Sequence, residues 1–286
     1  MGNPTAAMMV IGDEILSGRT RDSNMYHLAG ELGRAGLDLQ EVRVIADERS
    51  AIIEAAQSLS AKFDHLFTSG GIGPTHDDIT ADCIAEALGV SIDIRDDARA
   101  ILEAHYDRKK TTLNEARLRM ARIPDGANLI DNPISAAPGF TLGNVHVMAG
   151  VPSVFQAMVA SLLPTLAGGQ PLNSSSLRIE RAEGDIAGPL SEIADRYSDL
   201  SFGSYPFQQN GIYGANIVVR GNDPEVVKAA ISALQDTFPD AKQLRFPRTR
   251  SLRRSTRLGR PPVRLKLAPG SSARVRAADN EFLPRH

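Results

Sequence analysis

Ala7-Met8-Met9-Val10-Ile11 is a short apolar run closed by Gly12, the pattern of a buried strand. From Asn24 to Leu37 the apolar residues fall at helical spacing instead. Leu39 to Ile45 alternates and predicts a second strand, and Ala51 to Leu59 predicts a helix behind a Ser50 cap. Leu66-Phe67-Thr68 predicts a third strand, followed by a helix over Ile79 to Leu88 that Gly89 ends. Asp96 to Lys109 and Leu113 to Ile123 predict two more helices, the second stopped by Pro124. Strands alternating with helices specify an α/β class with a largely parallel sheet.

Short apolar segments follow at Ala127 to Ile130, Gly139 to Leu142 and Val145 to Ala149, with a hairpin expected at Gly143-Asn144. Val151 to Leu166 supplies a closing helix. Gly168 to Ser176 has linker composition and marks a domain boundary. Beyond it the pattern is a strand from Leu177, a helix over Ile186 to Tyr197, strands around Ser201 to Tyr205 and Gly211 to Arg220, and a helix from Pro224 to Phe238. The expected units are therefore an α/β domain over residues 5–167, a small α+β domain over 175–241 and a tail over 242–286.

Charge separates the tail from the rest. Residues 242–286 hold 13 Lys and Arg against 2 acids, leaving 19 basic and 32 acidic residues to the body out of totals of 32 and 34. The tail is rich in Arg, Pro and Ser without helical or alternating period, which predicts disorder. It lacks interleaved aromatics and any nucleic-acid-binding module, so nucleic acid is not the expected partner. No segment approaches the length of a transmembrane helix, and a cytoplasmic protein is expected. The single cysteine, Cys83, excludes an internal disulfide and falls in a helical pattern that predicts burial.

The chemistry concentrates in Thr68-Ser-Gly-Gly-Ile-Gly-Pro-Thr-His-Asp-Asp-Ile-Thr80. Its place between strand and helix suits a loop whose glycines let the backbone approach an anion, with phosphate the natural guest. Asp77 and Asp78 would repel phosphate unless a divalent cation lay between. Glycine turns and acidic helix starts also have a purely structural use. In parallel sheets, however, ligands bind beyond the carboxyl ends of strands. The loops carrying Glu14, Asp47 and Asp78 all fall there, and together they invite Mg²⁺ or another hard cation. His76 reads as a solvent-facing loop residue, and the other histidines have no zinc spacing.

These residues resemble the signature of the molybdopterin-binding domain of molybdenum cofactor biosynthesis proteins. The form Gly-Pro-Thr-His-Asp-Asp is most similar to that of competence/damage-inducible relatives. Further matches are Gly12 to Gly18, Asp22-Ser23-Asn24, Ala137-Pro138-Gly139-Phe140 and Gly150-Val151-Pro152-Ser153. The resemblance implies a three-layer α/β/α domain, a homo-oligomer, and a nucleotide or pterin ligand, molybdopterin included. It implies catalytic roles for Asp47 and Asp78, and a Mg²⁺, Mn²⁺ or Co²⁺ ion on Asp78 with Glu14 as a second acid. The implied ligand-binding set is Gly70, Gly71, Gly73, Pro74, Thr75, Thr80, Gly12, Asp13, Gly139, Gly150, Pro152 and Ser153.

The implied activity is metal-dependent cleavage of the phosphoanhydride of ADP-ribose or a related dinucleotide such as FAD. Adenylyl transfer to molybdopterin and ligand binding without catalysis stand as alternatives. Three departures from the motifs stand out: Ser69 in place of Thr, Met148-Ala149 before Gly150 where proline is common, and Ser135-Ala136 in place of Gly-Thr, the last bearing on the ligand pocket. The nicotinamide-nucleotide amidase domain of longer relatives has no counterpart, so deamidation is not expected.

Overall fold

The computed structural model describes residues 2–209 and 211–244. The elements run β1 (Thr5–Ile11), α1 (Asp13–Leu16), α2 (Asn24–Ala35), β2 (Asp38–Ile45), α3 (Arg49–Lys62), β3 (His65–Ser69) and α4 (Thr80–Ala87). Next come β4 (Ile92–Ile94), α5 (Asp96–Arg108), α6 (Glu115–Leu118), β5 (Arg122–Pro124), β6 (Asn128–Ile130), β7 (Gly139–Leu142), β8 (Val145–Met148) and α7 (Pro152–Leu162). The small domain contains β9 (Asn173–Ile179), α8 (Glu183–Arg196), β10 (Ser201–Gln209), β11 (Ile212–Gly221), α9 (Pro224–Thr237) and β12 (Lys242–Leu244).

The main sheet has the order β2-β1-β3-β8-β7-β6. Its first four strands are parallel, and β7 and β6 continue it antiparallel. The apolar run in β1 has two jobs, which explains why it is unbroken. Ala7, Met9 and Ile11 pack with α3, α4 and α5 on one face, while Ala6, Met8 and Val10 pack with α2 and α7 on the other. Helices on both faces make the three-layer α/β/α architecture. From β1 the chain moves to β2 on one side, then returns past β1 to β3 on the other. The crevice beyond the carboxyl ends of β1 and β3 is thus a topological switch point.

The small domain is an antiparallel sheet, β10-β11-β9-β12, with α8 and α9 closing a core of Leu177, Ile179, Ile217, Val219 and Leu234. The Gly- and Ser-rich connector is tied down rather than loose. Gly169 N–H donates to Gly36 O at 3.0 Å, Leu172 N–H to Gly33 O at 3.0 Å, and Gln170 N–H to Asn3 Oδ1 at 2.9 Å.

Several expectations differ from the structure. The helix expected over Leu113 to Ile123 is a four-residue helix, one 3₁₀ turn over Arg119–Ala121, and then β5, which pairs with β4. A short helical spacing here lost to a non-local strand pairing, helped by Arg122, which bonds Asp82 at 2.5 Å. Ser50 does not cap α3; Glu48 holds the cap position and the Ser50 hydroxyl donates to Glu48 Oε1. Lys242 to Leu244, read as tail, form β12 against β9, and β9 begins two residues before the expected domain start. The rest of the basic tail, with its expected disorder, lies outside the described residues. Among the described residues no helix is long and apolar enough to cross a membrane.

Candidate functional site

A cleft of about 500 Å³ opens at the switch point. It is lined from β1 and its loop by Gly12, Glu14 and Ile15, from β2 by Asp47, and from β3 by Ser69, Gly70, Gly71, Gly73, Pro74, Asp77 and Asp78. Asp22, Asn132, Ser135 and Gly150 line it from other loops, with Asn24 at the start of α2 and Pro152 at the start of α7. Glu14, Asp47 and Asp78, placed 64 positions apart at most by sequence alone, meet here because three parallel strands end side by side.

The glycine loop leaves β3 by a sharp reversal. Gly70 has φ +112°, and a Cβ there would stand 2.2 Å from Ile11 O. Gly71 has φ +70°, with Thr80 Oγ1 2.0 Å from the position of a Cβ. No other residue fits either place without displacing backbone or a buried side chain. Gly71 O accepts the first helical N–H of α4, from Thr80, at 3.0 Å. That helix start is therefore satisfied by the loop itself.

Asp78 and Asp47 are held differently. Asp78 Oδ2 accepts both the Thr75 N–H at 2.8 Å and the Thr75 hydroxyl at 2.5 Å, closing the loop as a small turn. Asp47 Oδ2 accepts the Asp13 N–H at 2.9 Å, and Asp13 Oδ1 accepts the Asp47 N–H at 3.4 Å. Burial raises the Asp47 pKa above its ordinary value; the nearby charges of Asp13, Glu14 and Asp77 add to this, and the bond from Asp13 N–H opposes it. Asp47 is consequently a stronger base than a free aspartate.

Among the described residues five carboxylates line the cleft, from Glu14, Asp22, Asp47, Asp77 and Asp78, and no Lys, Arg or His does. Among the described residues no three His, Cys, Asp or Glu side chains converge as a ready-made metal cage. The donor chemistry suits a hard cation that takes one or two carboxylates and completes its shell with water or phosphate oxygens.

Not every expected site residue reaches the cleft. Thr75 is bound to Asp78, Thr80 is buried behind Gly71, and Asp13 braces Asp47. Gly139 sits in β7, where a Cβ would meet Val147 O at 2.3 Å, so close strand packing explains it. Ser153 is exposed at the start of α7. His76 is fully exposed and Cys83 is buried.

Sequence reasoning gives Asn24 no role beyond its place in the Asp22-Ser23-Asn24 match. It is 3% exposed, and its Nδ2 donates to Ser69 Oγ and to Gly150 O, each at 2.7 Å. One amide therefore fastens the end of β3 to the loop after β8, across the cleft floor. An Asn at a helix start beside the strand-end loops was the available signal.

Fold and cleft together define an α/β/α domain with a cleft at the carboxyl ends of a mostly parallel sheet, and a small α+β domain follows it in the chain. The chain belongs to the family of the probable molybdopterin binding domain, which matches residues 7–168, and the FAD synthase middle domain matches residues 171–246. It is 30% identical over 257 residues to a probable FAD synthase of Caenorhabditis briggsae, covering 81% of this chain and 49% of that protein. The chain thus spans about half the length of these curated relatives. A CinA-like protein of Citrifermentans bemidjiense is 36% identical over 167 residues, covering 57% of this chain and 40% of the relative. The crystal structure of CinA, of unknown function, from Thermoplasma acidophilum superposes with a TM-score of 0.53 at 30% identity, covering 57% of this chain and 97% of that one.

Proposed function

We propose that the chain is a metal-dependent nucleotide pyrophosphatase that cleaves the phosphoanhydride of FAD, ADP-ribose or a related dinucleotide. The observation that carries this reading is the cleft's composition: a glycine loop facing several carboxylates, with no cationic side chain among the described residues of the lining. A bare diphosphate would be repelled there, whereas a diphosphate carrying a divalent cation would be attracted. The match to the FAD synthase middle domain, and the similarity to proteins named probable FAD synthase, support a flavin dinucleotide among the candidates.

In this reading Gly70, Gly71 and Gly73 let the loop backbone approach the phosphates. Asp78, with Glu14 as the second acid, would hold a Mg²⁺, Mn²⁺ or Co²⁺ ion, which when bound neutralises charge on the phosphate oxygens. Asp47 orients a water molecule and accepts its proton. The water oxygen bonds to one phosphorus as the bond from that phosphorus to the bridging oxygen breaks. AMP then leaves with FMN from FAD, or with ribose 5-phosphate from ADP-ribose.

The test is release of AMP from FAD and from ADP-ribose by the purified chain with each of the three metals, beside Asp47→Asn and Asp78→Asn. Metal-dependent AMP release that falls roughly a hundredfold or more in either variant is expected, the cost of losing one group that stabilises the transition state. A folded wild-type protein that binds FAD or ADP-ribose but never turns it over would leave a binding module instead. Formation of adenylylated molybdopterin from ATP would move the assignment to adenylyl transfer.

A further inference from the structure

Beside the cleft runs a narrow recess of about 20 Å³. It shares Gly71, Ile72, Gly73, Asp78 and Met120 with the cleft, and it adds two arginines, Arg119 and Arg122. A volume of that size holds roughly one water molecule, so the recess can admit an anion's oxygen but not a ligand.

The two arginines are committed differently. Arg122 Nη2 lies 2.5 Å from Asp82 Oδ1, and its Nη1 lies 3.9 Å from Asp93 Oδ1. Arg119 forms no ion pair among the described residues. Its Nη2 donates to the backbone carbonyl of Asp78 at 3.5 Å, the outer limit for a hydrogen bond, and its side chain is exposed. Its backbone is well anchored all the same. Arg119 opens the 3₁₀ turn that leads into β5, and Arg95 N–H donates to Ala121 O at 3.0 Å in that turn. The next residue, Met120, lines the cleft itself.

The glycine loop therefore has carboxylates on its cleft side and one uncommitted guanidinium beside it. From this we infer that Arg119 binds the diphosphate of the ligand, exchanging its weak bond to Asp78 O for phosphate oxygens at the lip of the loop. The inference rests on the phosphoanhydride reading above. A charge-assisted bond from guanidinium to phosphate is roughly twice as strong as a neutral one, and a long exposed side chain can reach for it without disturbing the core. Arg119 then supplies a fixed positive charge that the described residues of the cleft lining lack, and it selects ligands by their phosphates rather than by their base or flavin.

The experiment is binding of Mg²⁺-pyrophosphate, ADP-ribose and adenosine to the wild-type chain, Arg119→Ala and Arg119→Lys, each checked for an unchanged melting temperature. Arg119→Ala is expected to weaken pyrophosphate and ADP-ribose by roughly ten- to a hundredfold, with Arg119→Lys between the two. Adenosine, which has no phosphate, should bind all three proteins alike. A purely structural role would move the three ligands together and would overturn the assignment. Wild-type protein that binds the phosphorylated ligands no better than Arg119→Ala overturns Arg119 alone. Wild-type protein that binds neither pyrophosphate nor ADP-ribose overturns Arg119 together with the reading on which it rests.

Discussion

Asp13 and Asp47 hold each other by their backbones: each carboxylate accepts the other's N–H, at 2.9 Å into Asp47 and 3.4 Å into Asp13. The pair locks the loop after β1 to the loop after β2 and keeps two like charges near each other. Burial first, and the neighbouring carboxylates after it, raise the Asp47 pKa. With Asp47 as the base in the proposed reaction, turnover falls as pH drops through that raised pKa. Asp13→Ala keeps the backbone donor to Asp47 but removes a like charge, so the acid limb of the rate profile should move to lower pH. The pH dependence of kcat in the two proteins checks this. An acid limb that stays in place, or moves to higher pH, would detach Asp47 from the limb.

Thr75 places two donors on one oxygen of Asp78, which makes Asp78 both a wall of the cleft and the clasp of its loop. The two roles separate by mutation. Thr75→Ala removes the hydroxyl bond and should cost about 1 kcal/mol of stability with partial activity kept, whereas Thr75→Ser should restore both. Asp78→Asn should lose roughly a hundredfold in turnover even where its melting temperature is close to wild type. Near-wild-type turnover in a folded Asp78→Asn protein removes Asp78 from the chemistry and leaves it the clasp alone.

The glycine loop gives a prediction about stability. At Gly71 an added methyl would overlap the buried Thr80 hydroxyl at a φ of +70°, so Gly71→Ala combines backbone strain with a clash. Gly89 has the same φ and nothing within 4 Å of a Cβ, so Gly89→Ala isolates the backbone cost of about 1 kcal/mol. Gly71→Ala should cost several-fold more in urea unfolding. Equal losses in the two variants would mean that the loop relaxes around the methyl.

What the sequence made legible follows the range of the interactions. The buried strand Ala7 to Ile11 and the Gly-Gly-Ile-Gly-Pro-Thr loop were readable because each is decided within a few residues. The gathering of Glu14, Asp47 and Asp78 followed from alternating strands and helices. The bond between Asp13 and Asp47 was not readable, since it joins residues 34 apart and depends on the register of β1 with β2. Asn24 was hidden for the same reason, because its partners, Ser69 and Gly150, lie 45 and 126 residues away. The helical spacing of Leu113 to Ile123 misled because β5 is made by its distant partner β4. Burial of Asn24 predicts that Asn24→Ala, which leaves Gly150 O and Ser69 Oγ without their donor, costs on the order of 2–3 kcal/mol in urea unfolding. A loss below about half a kcal/mol would show that water replaces the amide.

A second buried polar chain, at the opposite end of β3 from the glycine loop, ties stability to pH. His146 in β8 is 1% exposed; its Nε2 meets His65 Nδ1 at 3.1 Å and its Nδ1 meets Thr141 Oγ1 at 3.0 Å. Burial, with the charge of His65 second, lowers the His146 pKa from 6.5 to about 3. The unfolded chain therefore binds a proton that the folded chain refuses between those values. Folding is unaffected by this group above pH 6.5 and loses stability as pH falls from 6.5 toward 3. His65, whose pKa burial also lowers, works in the same direction. Urea unfolding at pH 7.5 and pH 5 should show a loss on the order of 1–2 kcal/mol in the wild type from this pair. His146→Gln keeps a polar partner for Thr141 but cannot titrate, so its loss over the same interval should be smaller. Identical losses in both proteins would assign the pH dependence to other groups.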